Sequence, residues 1–312
     1  MPRLPPAEKL SLAVRKNFRD EYDANKADLE KQLSEVLGTA WTVEVNPNAI
    51  WPYHNDGYAK DSLGSCIKGY IDGAIYQLKY LTGRYENLAQ EVNDLASAHV
   101  ITIDVEETSP PRFSYCGCDV QDGKLRILFT EKCLGTNIDY AMAEEPLFNA
   151  LNAAPATKPL SFRARIGIRA DYEPAIGAVQ HQIAELLGKD DSAVTLNPNF
   201  EEVFAKLAEG RKAKNSDVRD DFEQNLGSFS LKYFEALAYQ MKYIKVGEDE
   251  MIQEGFLEAV PSLEFVLRVV DALKNDSYCE CVIEGDKLYL QCKPGTWGSN
   301  IDYVASKVMD LL

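Results

Sequence analysis

Residues 135–140 read GTNIDY and residues 298–303 read GSNIDY. The two hexapeptides stand 163 positions apart, and the same offset relates much longer stretches of the chain. Tyr115-Cys116-Gly117-Cys118 matches Tyr278-Cys279-Glu280-Cys281, and Lys124-Leu125 matches Lys287-Leu288. LGS at Leu63 matches LGS at Leu226, and YQLKYL from Tyr76 matches YQMKYI from Tyr239. Between Tyr115 and Tyr140, ten of 26 positions are identical without a gap. Upstream the offset shrinks: Asn46-Pro47-Asn48 matches Asn197-Pro198-Asn199, and LSEVLG from Leu33 matches IAELLG from Ile183. The difference is absorbed between NPN and LGS, where the first copy has 14 residues and the second 26. A period of this size is one domain per copy, far longer than the units of a solenoid. The Pro-containing stretch APATKPLS, 154–161, reads as a linker. The sequence therefore predicts two similar domains, 1–157 and 158–312.

Each copy yields the same order of elements. Leu29, Leu33, Val36 and Leu37 form a helical stripe before Gly38, as do Ile176, Val179, Ile183, Leu186 and Leu187 before Gly188. A short strand follows (TVEV, then AVTL), and next a long helix, about 65–81 and 228–244. A further helix is expected near 86–98, then the alternating runs VITIDVEE and LEFVLRVV. Asp122-Gly123 between two β-rich runs marks a hairpin, and Gly285-Asp286 sits at the matching place. A closing helix is expected at 138–151 and 301–312. The fold class this predicts is α+β, an internal duplication of helices packed on a small, mostly antiparallel sheet.

In this frame GTNIDY is a helix start. Thr136 precedes Asp139 by three, as Ser299 precedes Asp302, which is the spacing of a capping box. Asn137 and Tyr140 are not needed by such a cap and are left as possible ligand contacts. Cys116 and Cys118 lie two apart on a strand, as do Cys279 and Cys281, and read as core residues. No Cys-x-x-Cys or histidine spacing accompanies them, and the chain carries no dinucleotide, phosphate-loop, nucleophile-elbow or zinc-protease motif. Neither a metal nor a cofactor is expected.

The net charge of −16 disfavours nucleic acid and anionic membranes and tolerates a neutral or cationic partner. Seven cysteines, an odd number at low density, suit free thiols in a reducing compartment. The opening MPRLPPAEKL does not resemble a signal peptide, so a cytoplasmic protein is expected.

Two places invite a functional reading. On the long helix, Ile67, Tyr70, Ile71, Ala74, Ile75, Leu78 and Leu81 make one apolar stripe, with Tyr76 and Tyr80 opposite. Tyr239 and Tyr243 repeat this arrangement in the second copy. These tyrosines either line a pocket, with Lys79 or Lys242 at its rim, or are covered by a neighbouring element. The second place is the segment that the copies do not share, AIWPYHNDGYAKDS, which gathers Trp51, Tyr53, His54, Asp56 and Tyr58. The leading expectation is a noncatalytic binding protein for a small neutral or cationic ligand or a protein partner, through this aromatic loop or an inter-domain cleft. Two alternatives stand beside it. One is an enzyme with His54 and Asp56 as an acid–base pair. The other is a self-associating protein, a homo-oligomer joined through its tyrosine-bearing helices.

Overall fold

A computed structural model describes residues 3–156 and 158–312. Its contacts divide the chain into two compact units, Met1–Thr157 and Lys158–Leu312. No helix of the described residues is long and apolar enough to cross a membrane.

The first unit runs α1 (Leu12–Asn17), α2 (Lys26–Leu37), β1 (Thr42–Glu44), α3 (Pro47–Ile50), α4 (Leu63–Arg84) and α5 (Leu88–Leu95). It continues through β2 (Val100–Val105), β3 (Cys116–Gln121), β4 (Lys124–Phe129) and α6 (Glu144–Ala153). The second runs α7 (Phe162–Gly167), α8 (Glu173–Leu186), β5 (Thr195–Asn197), α9 (Phe200–Arg211), α10 (Leu226–Tyr243) and α11 (Glu250–Ala259). Its last strands are β6 (Glu264–Val269), β7 (Cys279–Glu284) and β8 (Lys287–Cys292). The two sheets have the same strand order, β1-β2-β4-β3 and β5-β6-β8-β7, with matching registers, the arrangement a duplication leaves.

Both sheets are mixed, which corrects the mostly antiparallel expectation. Only the hairpin pairs β3·β4 and β7·β8 are antiparallel; β1·β2, β2·β4, β5·β6 and β6·β8 are parallel. The chain leaves β2, passes to the far edge to form β3, and returns through the hairpin so that β4 slots in beside β2. Asp122 and Gly123 both have positive φ, as a two-residue turn of this hand requires. The parallel β1–β2 pair needs a crossover, which α3, α4 and α5 supply. In β4, Leu125, Ile127, Leu128 and Phe129 are all buried, the near-continuous apolar run of a strand enclosed on both faces.

The long helix buries the stripe its periodicity predicts, from Ile67 to Leu81, with each large apolar side chain contributing about 1.5–3 kcal/mol. An element absent from the sequence reading precedes it. α1 passes into a π-helical turn, Phe18–Tyr22, and α7 into another, Ile168–Tyr172. Ser11 and Ser161 cap these helices, accepting from the Val14 and Ala164 amides. The π-helical segments explain the repeated LGS. A Cβ on Gly64 would lie 2.5 Å from the Asn17 carbonyl oxygen, and one on Gly227 would lie 2.3 Å from that of Gly167. Backbone meets backbone here, which only glycine permits.

The closing helices differ from expectation. GTNIDY leads into a 3₁₀ turn, Ile138–Tyr140, and α6 starts only at Glu144. GSNIDY leads into Ile301–Tyr303 and then a second 3₁₀ turn, Val308–Leu311. No capping box forms at Thr136 or Ser299. The residue before each turn is Asn137 or Asn300, held in the left-handed region without a side-chain cap. Gly135 and Gly298 also have positive φ, near +80°, so the chain enters each turn through left-handed backbone on both sides of the hydroxyl residue. Asparagine tolerates this backbone better than other residues with a Cβ.

Candidate functional site

The NIDY turn is fastened by three contacts in the first unit. The Cys116 thiol donates to the Asn137 carbonyl at 3.1 Å, and the Gly135 amide donates to the Tyr70 hydroxyl at 3.1 Å. Gln77 Nε2 donates to the Asp139 carbonyl, also at 3.1 Å. The second unit repeats the thiol contact, Cys279 to the Asn300 carbonyl at 3.1 Å. The first cysteine of each Cys-x-Cys thus ties the turn to its sheet. All four of these cysteines are buried, and burial pushes Cys116 up to about 11 and Cys279 and Cys281 up to about 12. Thiols held protonated in this way are poor nucleophiles. Among the described residues, no group of His, Cys, Asp or Glu is placed to hold a metal.

Packing this turn against the long helix creates one surface in each unit. Tyr76 and Tyr80 project from the outer face of α4 and Tyr140 ends the turn, while Tyr239, Tyr243 and Tyr303 hold the same positions in the second unit. Tyr115 and Tyr278 stand one residue ahead of the cysteine that binds the turn. These eight tyrosines are 47–72% exposed. Within its own unit none of them plugs a core. Beside them the Asp139 and Asp302 carboxylates are exposed, and neither has an ion-pair partner among the described residues. In α4, Gly69 and Gly73 let the turn lie close: a Cβ on Gly73 would be 3.0 Å from Asp139 Oδ1. Lys232 and Ala236 replace these glycines in α10. There the surface hollows into an open concavity of about 630 Å³ between Tyr239, Tyr243, Asp302 and Tyr303, with Lys232, Glu235 and Gln240 in its lining. The Tyr239 and Tyr243 rings lie nearly parallel, centroids 6.5 Å apart.

The aromatic loop is arranged differently. Tyr53 is core: it is buried edge-on against Phe129 at 5.6 Å, and its hydroxyl accepts from the Leu4 amide at 2.8 Å. Trp51 is half-buried against the His54 ring and donates to the Lys60 carbonyl. His54 Nδ1 accepts from the Asp56 backbone amide at 2.9 Å, while the Asp56 carboxylate turns to Lys60 at 2.7 Å. Lys60 holds that carboxylate below its ordinary range. The acid–base pair expected of His54 and Asp56 therefore does not form. Tyr58 is exposed and lies over Gly135, close to the NIDY turn. Elsewhere, His181 pairs with Asp191 at 2.9 Å, an exposed contact that raises the histidine's pKa.

The sequence reading singled out Tyr76, Tyr80, Tyr239 and Tyr243 and left Tyr140 open. It assigned Asp139 and Asp302 to capping, and so missed that their carboxylates belong to the same surface as the tyrosines. The signal was present in YQ-x-KY and NIDY, the two longest polar identities between the copies. No protein-family model matches this chain, and neither a curated protein nor a solved structure does.

Proposed function

We propose that this chain is a noncatalytic, cytoplasmic binding protein built by internal duplication, each unit presenting its tyrosine–carboxylate surface to a cationic group. One observation carries this reading: the same exposed tyrosines and aspartate recur in both units, and none of them is buried in a core. Tyrosine ring faces attract ammonium and guanidinium groups, and an adjacent unpaired carboxylate adds direct charge complementarity. The net charge of −16 draws cations toward the protein and repels anions. Seven free thiols suit a reducing compartment. At His54 the ring accepts from the Asp56 backbone amide while the Asp56 carboxylate pairs with Lys60, so the two side chains do not meet as an acid–base pair.

The test is a titration followed by amide resonances, using N-acetyl-arginine amide and its uncharged isostere N-acetyl-citrulline amide. The arginine compound is expected to shift Tyr239, Gln240, Tyr243 and Asp302, and their counterparts Tyr76, Gln77, Tyr80 and Asp139. Replacing Tyr239 and Tyr243 together by alanine is expected to weaken binding in the second unit about tenfold. An equal response to citrulline, or no response at these residues, refutes the proposal. Line broadening with protein concentration alone would identify self-association instead.

A further inference from the structure

In the second unit a second concavity, of about 360 Å³, adjoins the first, and Tyr303 lines both. Ser306, Asp310, Asn275 and the Asp276–Lys307 pair contribute to its lining. In the first unit this corner is filled differently. There Phe113 lies directly on Gly117, where a Cβ would come within 2.3 Å of the ring. Glu280 stands in place of Gly117, and its buried carboxylate accepts from the Lys274 and Asn275 amides and from Gln291. The loop that carries Asn275 and Asp276 is thereby anchored and the corner kept polar.

We infer that the second unit takes an extended, lysine- and arginine-bearing polypeptide segment that crosses Tyr303 and occupies both concavities. This rests on the function proposed above and names its partner class. A lone cationic side chain fits one concavity, whereas two adjoining ones with a tyrosine between them suit alternating side chains of an extended strand. Charge sets the sign of the partner. Glu235, Asp302 and Asp310 are exposed carboxylates without an ion-pair partner among the described residues. The cations of the lining are engaged: Lys307 lies 3.4 Å from Asp276 and 3.3 Å from the Asn275 carbonyl, and Lys232 leans over the Phe229 ring. Asn275, Ser306 and Gln240 supply polar groups for peptide amides.

The experiment compares N-acetyl-arginine amide with the blocked heptapeptide Gly-Arg-Gly-Lys-Gly-Arg-Gly, titrated by calorimetry and amide resonances against the full chain. The peptide is expected to bind the second unit at least about tenfold more tightly than the single arginine, and to shift Ser306 and Asp310 as well as Tyr239 and Tyr243. Ser306→Phe, which fills the second concavity, and Asp310→Asn are each expected to remove most of that gain while leaving arginine amide binding unchanged. Both positions are exposed, so neither variant threatens the fold. If arginine amide binds but the peptide gains nothing, or gains equally in both variants, the extended-segment inference falls and the function above survives. If neither probe binds at the tyrosines, both fall. An equally tight complex with the same peptide carrying glutamate for its cations overturns the inference on charge.

Discussion

Replacing Gly227 by alanine tests the contact on which the second unit is assembled. The added Cβ would lie 2.3 Å from the Gly167 carbonyl oxygen, 2.6 Å from its carbonyl carbon and 2.7 Å from Ile168 Cα. Ordinary contact begins near 3.4 Å, so the π-helical segment and α10 must part by about 1 Å. Both partners are backbone, and no side-chain rotation relieves the clash. Overpacking of this kind costs about 1–3 kcal/mol, against a helix-propensity gain of at most about 1 kcal/mol. The expected net loss is about 1–2 kcal/mol, equivalent to several degrees in the unfolding midpoint. Gly177 is the control, in the middle of α8 with nothing near its would-be Cβ; Gly177→Ala should stabilise by about 0.5–1 kcal/mol. Urea unfolding followed by Trp297 fluorescence reads both, since Trp297 is buried and is the only tryptophan after residue 157. A Gly227→Ala chain as stable as the parent, or more stable, would refute the backbone contact.

Two further expectations follow from the same physics. Ser161→Ala removes a formed N-cap and should cost about 1 kcal/mol, whereas Asp302→Asn, which caps nothing, should leave the urea midpoint unchanged and weaken arginine amide binding. In the first unit, burial works to raise the Glu106 and Asp119 carboxyls, but Arg112 with Thr108, and Arg126 with Arg112, bring both below their ordinary range. Groups depressed on folding stabilise fully above their unfolded values and lose that contribution as pH falls through the folded ones. The first unit's stability should therefore decline from about pH 5 downward, and Arg126→Gln should both lower its midpoint at neutral pH and flatten this decline. An unchanged acid profile in that variant would show that the Arg126–Asp119 pair is not its source.

The repeat, the hairpins and the long apolar stripe were legible because each is a local pattern: Asp122-Gly123 dictates a tight turn, and Ile67 to Leu81 dictates a buried helix face. The parallel pairing was not, because which strand β4 lies beside depends on the path of the chain after Val105, and no residue of KLRILF encodes a neighbour. Its near-continuous burial is a property of the folded sheet. Thr136-x-x-Asp139 has the spacing of a cap, yet Gly135 and Asn137 take left-handed backbone around it, and that backbone decided the outcome. The π-helical turns left no periodicity to detect. Of the site, the tyrosines could be nominated from their position opposite the stripe, but their exposure depended on what else packs nearby. Tyr53 shows the other side of this: equally aromatic and equally suggestive in sequence, it is sealed against Phe129.

The strands β1 and β5 are three residues long and lie at the sheet edges. Tandem copies with equivalent hairpins run a particular hazard during synthesis, since a strand of one can be captured by the sheet of the other. An edge of three residues is a poor template for such capture, and Lys124–Glu44 and Lys287–Glu264 place charge beside it. The opposite edges, β3 and β7, pair with β4 and β8 on one side only, and α6 packs against β3. A short edge at β1 and β5 thus narrows the opportunity for exchange between like copies as the chain folds.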